Sequence, residues 1–203
     1  MPDFEIKKWN EENVDFGNEY CRASFARGQW SRLSNYVRVR ALYEEGGIYL
    51  DTDVEVLKSF APLLQHNCFL GFQQEEETVD WVNIAILGAT RGHGLLKDCL
   101  DLLTELFATT GEFYRGPTVA TTALKNRGLQ QYGLQELGDV SLYPAEYFYP
   151  FPWFGKFKPE CVTENTYCIH HWEASWMSWR NKTYVKMLLP LVMMKRKLYR
   201  TIV

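Results

Sequence analysis

Two aspartates one residue apart, Asp51 and Asp53, follow the apolar run Ile48-Tyr49-Leu50 and the glycine pair Gly46-Gly47. In an extended segment the side chains at i and i+2 share a side, so both carboxylates can address one point. Two carboxylates that close at the end of a buried strand repel unless positive charge lies between them. A hard divalent cation supplies that charge, and the same cation can hold the phosphates of a substrate. The competing reading of an Asp-X-Asp triplet is a solvated turn that happens to carry two acids.

The helix that precedes the pair has polar residues suited to the same place. Its pattern spans Ser31 to Glu45, with Leu33, Tyr36, Val37, Val39 and Ala41 as apolar mass, Ser31 as a cap and Gly46 as a left-handed stop. Ser34, Asn35 and Arg38 stand at i+3 and i+4 spacings and so cluster on one face. Arg38 is a fork of donors for hydroxyls or phosphate oxygens, or else a structural salt-bridge partner of one of the aspartates.

A second constellation is Ile169-His170-His171-Trp172-Glu173-Ala174-Ser175-Trp176. At the end of a strand, adjacent histidines point to opposite faces, so one of His170 and His171 should reach a shared site. Neutral imidazole can complete a carboxylate-rich Mn²⁺ shell. Trp172, Trp176 and Trp179 are suited to stacking on a sugar or a base, and a hydrophobic flap with a surface histidine pair is the alternative. Asn83, a lone polar residue in an apolar strand, either contacts ligand or satisfies backbone groups. Gly116-Pro117-Thr118 offers free N–H groups at a helix start, for an anion, a hydroxyl or a plain cap. His93 reads as a turn residue.

The elements that must position these residues alternate between strand and helix, which indicates an α/β domain. Strands are expected at Phe4 to Trp9, from Gly47 into the aspartates, at Val54 to Leu57, Cys68 to Phe72, Val82 to Leu87, Val140 to Tyr143 and Thr166 to Ile169. Helices are expected at Asn18 to Gly28, Ser31 to Glu45, Gly94 to Ala108 and Pro117 to Lys125. Gln73 to Asp80 reads as a solvated acidic loop, and Tyr143 to Pro159 as an ordered irregular one. The 203 residues suffice for one domain with a real core, and the net charge of -3 gives no general case for nucleic-acid binding. Five cysteines without a CxxC motif suggest reduced, mostly buried thiols. Met1 to Asn10 lacks the apolar segment of a signal peptide, and a cytoplasmic protein is expected. Residues 181–203 form a basic tail in which lysines and arginines interleave with methionine and leucine. It suits either peripheral contact with an anionic membrane surface, at its inner face, or packing on a domain that spans residues 1–180.

Taken together, Ser34-Asn35-Tyr36-Val37-Arg38, Leu42 and Gly46-Gly47-Ile48-Tyr49-Leu50-Asp51-Thr52-Asp53 resemble the DxD sugar-binding region of glycosyltransferase family 32. That family includes capsular polysaccharide transferases and mannosyltransferases. Asn83, the Gly92-His93 turn, Gly116-Pro117, Ile169-His170-His171 and Ser175-Trp176 extend the resemblance in the family's order. It implies a GT-A-type, Rossmann-like mixed sheet flanked by helices, Mn²⁺ or Mg²⁺, a UDP- or GDP-sugar donor and a glycan or lipid-linked acceptor. The implied activity is retaining sugar transfer in polysaccharide biosynthesis. Asp51 and Asp53 would meet the metal and the donor, and Arg38 and residue 35 would hold the donor sugar. His170 or His171, with His171 favoured, would complete the metal shell, and Ser175 and Trp176 would close over the diphosphate. Two departures stand out. The family usually has Ser-Asp where this chain has Ser34-Asn35, and its first strand has no counterpart before Phe4, so an N-terminally truncated domain is expected. An inactive nucleotide-sugar-binding homologue, or a metal-dependent phosphohydrolase, are the competing functions.

Overall fold

A computed structural model of the protein describes residues 4–10, 12 and 14–173. Ser175, Trp176, Trp179 and the basic tail at residues 181–203 lie outside the described residues.

The chain opens with two helices, α1 (Glu19–Ala26) and α2 (Trp30–Glu45), then β1 (Gly47–Leu50), β2 (Val54–Val56), β3 (Cys68–Phe72) and β4 (Val82–Ala89). Helices α3 (Gly94–Thr110) and α4 (Gly116–Asn126) follow, then β5 (Gln135–Leu137), β6 (Val140–Tyr143), the short α5 (Ala145–Phe148) and β7 (Cys168–His170). Five strands form a mixed sheet in the order β1-β4-β3-β6-β5, in which only the β3–β6 pairing is parallel. The outer edge of β1 has no partner strand among the described residues. Strands β2 and β7 pair separately and antiparallel.

Alternation along the central strands divides the core into two layers. Cys68, Leu70 and Phe72 of β3 join the cluster beneath α1 to α4, while Phe69 joins the opposite cluster with Phe60, Tyr143, Phe148 and Tyr149. Full burial of one such apolar side chain contributes about 1.5–3 kcal/mol. On β4 the helix-facing residues are Val82 and Ile84, then Leu87 and Ala89. The change of parity coincides with a register shift: Leu70 faces Leu87, but the next residue, Gly71, faces Asn83. Ile84, Ala85 and Ile86 are therefore unmatched on β3 and their backbone is redirected toward β1, as bulges do. Both sides of β4 are buried, so its apolar run carries no visible periodicity.

Most expected elements are present, with three differences. Phe4 to Trp9 is irregular, with Ile6 93% exposed; its alternation meets no strand edge, and a lone extended segment has no partner for its backbone groups. Helix α2 starts at Trp30 rather than after a Ser31 cap, because the Arg32 and Leu33 N–H groups already bond the Gln29 carbonyl. Gly46 stops the helix with φ 74°, and a Cβ there would lie 2.8 Å from the Arg91 backbone nitrogen. Strand β1 is half-buried rather than buried. All five cysteines are free, four of them buried.

Candidate metal and substrate site

The Asp51 N–H bonds the Ala85 carbonyl at 2.8 Å, so the β4 bulge holds the end of β1. The chain then turns: the Val54 N–H bonds the Asp51 carbonyl at 3.1 Å, across four residues. This β-turn, not alternation within an extended strand, brings the two carboxylates together. Its exit, β2, pairs with β7 so that Val54 faces His170 and Glu55 faces Ile169. The two histidines then diverge as alternation requires. His170 Nε2 lies 3.1 Å from Asp53 Oδ1 and 3.7 Å from Asp51 Oδ2. His171 Nε2 instead pairs with Glu55 at 2.9 Å, so the favoured histidine is corrected to His170.

Each carboxylate has one oxygen held by the protein and one turned toward His170. Asp51 Oδ1 accepts from the Tyr49 hydroxyl at 2.8 Å and from Arg38 Nη1 at 2.9 Å. Asp53 Oδ2 accepts from the Glu173 N–H at 2.9 Å. One ligand atom from each of Asp51, Asp53 and His170 falls within 4.8 Å of the others. Two carboxylates plus one imidazole fit Mn²⁺, which takes oxygen and nitrogen ligands, better than Mg²⁺, which prefers oxygen alone. Burial would raise the Asp53 carboxyl, but the His170 hydrogen bond and charge together with the Glu173 N–H hold it down at about 2. It is therefore ionised and ready to bind a cation at neutral pH.

Arg38 takes the structural alternative raised by the sequence, and more besides. The side chain is 9% exposed; Nε bonds the Ser34 carbonyl, Nη1 the Ile84 carbonyl and Asp51, and Nη2 the Ser34 hydroxyl. A guanidinium has five N–H donors. These four contacts leave one Nη2 proton without a partner among the described residues. The guanidinium also stacks 4.5 Å from the Tyr49 ring centre. Burial pushes the Tyr49 hydroxyl up to about 12, against the pull of Arg38, so it stays a proton donor to Asp51.

Asn35 is buried, and a Cβ on Gly116 would fall 2.9 Å from its Oδ1, so the start of α4 lies beside Asn35, while Ser34 reaches Asp51 through Arg38. Asn83 donates to Gln73 at 2.7 Å and accepts the Ala85 N–H at 2.8 Å. Of its two readings the structure gives satisfaction of backbone groups, because the bulge strips Ala85 of a ladder partner. His93 caps α3 by accepting the Leu95 N–H. Tyr49 was missed as a site residue although strand alternation already put it on the side of Asp51. Trp172 was read as a stacking surface, but its ring centre lies 4.2 Å from that of His170 and its indole N–H is bonded to Phe151. Its φ of 54° is rare for a bulky residue and precedes the N–H given to Asp53.

The two histidines have different expected phenotypes. His170→Ala should weaken the response to Mn²⁺ at least about tenfold, since one of the three converging candidate ligand atoms is removed. His171→Ala should leave it within about twofold, because an exposed pair such as His171–Glu55 contributes little. Titration of each variant with Mn²⁺, read by thermal unfolding, checks this; equal effects would reverse the assignment of His170.

Comparisons with known proteins match the sequence of this chain to a family. A family model described as "Glycosyltransferase sugar-binding region containing DXD motif" matches residues 1–70. The chain is 32% identical over 169 residues to lactosylceramide 4-alpha-galactosyltransferase of Mus musculus, covering 73% of this chain and 44% of that protein. The Rattus norvegicus protein of the same name is 31% identical over 152 residues, covering 69% and 40%, and that of Homo sapiens 29% over 164, covering 72% and 44%. The chain thus spans less than half the length of these relatives. A second family model, "Alpha 1,4-glycosyltransferase conserved region", matches residues 88–192, just over half of the 203. The chain belongs to this glycosyltransferase family, of the family 32 type.

Proposed function

We propose that the protein moves a sugar from a nucleotide-sugar donor to a hydroxyl of a glycolipid or glycan acceptor, with retention of configuration and dependence on a divalent cation. The observation that carries this is the convergence of Asp51, held by Tyr49, Asp53, held by the Glu173 N–H, and His170, packed against the Trp172 ring. The names of the relatives favour a galactosyl donor and a lipid-linked acceptor over a polysaccharide. A lipid-linked acceptor would bring the protein to a membrane surface; no helix among the described residues is long and apolar enough to cross one. The mixed sheet with helices packed on it supports a GT-A-type assignment, and the open edge of β1 is where a further strand would add.

Asp51, Asp53 and His170 would hold the cation. When bound, it supplies Lewis-acid stabilisation of the charge that builds on a departing diphosphate. Arg38 and Tyr49 hold one Asp51 oxygen in place, and the remaining Arg38 proton is available to a ligand oxygen. Ser34 and Asn35 offer hydroxyl and amide partners, and Asn35 lies beside the α4 start. In the transfer, the bond from the sugar's anomeric carbon to phosphate oxygen breaks and a bond to the acceptor oxygen forms on the same face. The acceptor's proton passes to the leaving phosphate, so no protein base is required.

The experiment is thermal unfolding with UDP-galactose, with and without Mn²⁺, followed by NMR of the product made on methyl β-lactoside. At about 100 times Kd a ligand adds ~2.7 kcal/mol, which for this size raises Tm by roughly 5–10 °C. Stabilisation by UDP-galactose should need Mn²⁺, and the new linkage should be α. Stabilisation without transfer would leave a binding protein, and equal stabilisation without Mn²⁺ would overturn cation dependence.

A further inference from the structure

Trp30, the first residue of α2, is 56% exposed. Phe25, at the end of α1, is 45% exposed, and the two rings pack edge to face at 5.3 Å. Phe16 braces Phe25 from behind, again edge to face, at 5.4 Å. These contacts hold the indole in place while leaving much of it in water. Adjacent exposed aromatics held rigid by one another offer a flat apolar face to a ligand.

The register of α2 says what lies beside them. Trp30, Ser34 and Arg38 are spaced i, i+4, i+8, so they follow one stripe of the helix. Each four-residue step advances about 6 Å. The Arg38 guanidinium folds back to the Ser34 hydroxyl at 3.1 Å and reaches Asp51 at 2.9 Å. The Trp30 backbone therefore lies about one helical turn from Ser34, whose hydroxyl the Arg38 guanidinium meets. That separation is close to the length of one pyranose ring.

On the reading that this site transfers sugar, we propose that Trp30, backed by Phe25, is the platform for the acceptor's sugar ring. A pyranose presents an apolar C–H face and a rim of hydroxyls. An aromatic face carries partial negative charge, and so attracts the polarised C–H bonds while burying both apolar surfaces. The indole N–H has no hydrogen-bond partner among the described residues, and Gln29 and Ser31 flank it with polar groups for the hydroxyl rim. Continuity with the Ser34–Arg38 stripe favours a carbohydrate in line with the reacting atoms over a membrane surface.

The test uses methyl β-lactoside, UDP-galactose and Mn²⁺ with Trp30→Ala and Trp30→Phe. Loss of the stacking face should raise the acceptor KM about tenfold, the size expected for an aromatic contact. The rise should be confined to the acceptor KM, with kcat and the donor KM much less affected, and Trp30→Phe should recover most of it. Ligand-observed NMR of methyl β-lactoside in the presence of UDP and Mn²⁺ gives the same comparison without turnover. Unchanged lactoside binding in Trp30→Ala, or none in the unmodified protein, overturns the platform. A defect confined to binding of lactosylceramide-free liposomes also overturns it and makes the indole a membrane contact. Failure of UDP-galactose and Mn²⁺ to stabilise the unmodified protein would instead tell against the transferase reading itself.

Discussion

Asp53→Asn should abolish cation-dependent turnover, by about a thousandfold, while the protein remains folded. A metal acting as Lewis acid supplies several kcal/mol to the transition state, and each ~1.4 kcal/mol is tenfold in rate. Asn keeps the shape of Asp53 and can still accept the Glu173 N–H through its carbonyl oxygen. The atom that changes is the one facing His170: an anionic oxygen 3.1 Å from Nε2 becomes an amide nitrogen that repels a cation. The cost in stability follows from linkage. The folded carboxyl lies at about 2 against an ordinary 3.8, so its contribution is present above the ordinary value and lost as pH falls toward 2. That difference corresponds to ~2 kcal/mol, present at pH 7 and forfeited in part by the variant. A Tm lower by a few degrees at pH 7, converging with that of the unmodified protein as pH falls below about 3, is expected. Full turnover in Asp53→Asn, or a Mn²⁺ response equal to that of the unmodified protein, would remove the metal assignment.

What was legible in the sequence is what local pattern can encode. The two acids, the helix before them and the small polar residues on that helix are close in the chain, and their convergence follows from spacing. Extended alternation accounts for only part of that convergence, because residues 51–54 turn and do not extend. Choosing between His170 and His171 needed the β2–β7 register, a pairing of residues more than a hundred apart in the chain. Alternation says only that the histidines part, not which one faces the acids. The β4 bulge was hidden for a related reason: with both sides buried, Val82 to Ala89 is uniformly apolar, and a parity change leaves no trace. Phe4 to Trp9 had strand periodicity without a strand to pair with, which no local pattern reveals. Tyr49 is different, since its position two residues before Asp51 was enough to place it, and its role was readable from spacing alone.

Removing the charge of Arg38 should have the second largest effect, and on two observables. In Arg38→Met, Asp51 keeps Tyr49 but loses its cation, and the carbonyls of Ser34 and Ile84 lose a donor in a nearly closed space. Breaking such a pair costs ~3 kcal/mol, the low end for buried ion pairs because Asp51 is 24% exposed. For a chain of this length the melting temperature should fall by roughly 6–12 °C. Arg38→Lys should fall between, since one ammonium can neutralise Asp51 but cannot span Ser34, Ile84 and Asp51 at once. Turnover in Arg38→Met should drop by about a hundredfold or more, because Asp51 is no longer fixed and the donor to the ligand oxygen is gone. The discriminating readout is the cation itself. An uncompensated pair of aspartates binds a divalent ion to relieve its own repulsion, so Mn²⁺ should raise the Tm of Arg38→Met more than that of the unmodified protein. A structural arginine unconnected with the acids would lower Tm without enlarging that response. Additive, equal shifts with Mn²⁺ in the two proteins would therefore separate Arg38 from the acid cluster.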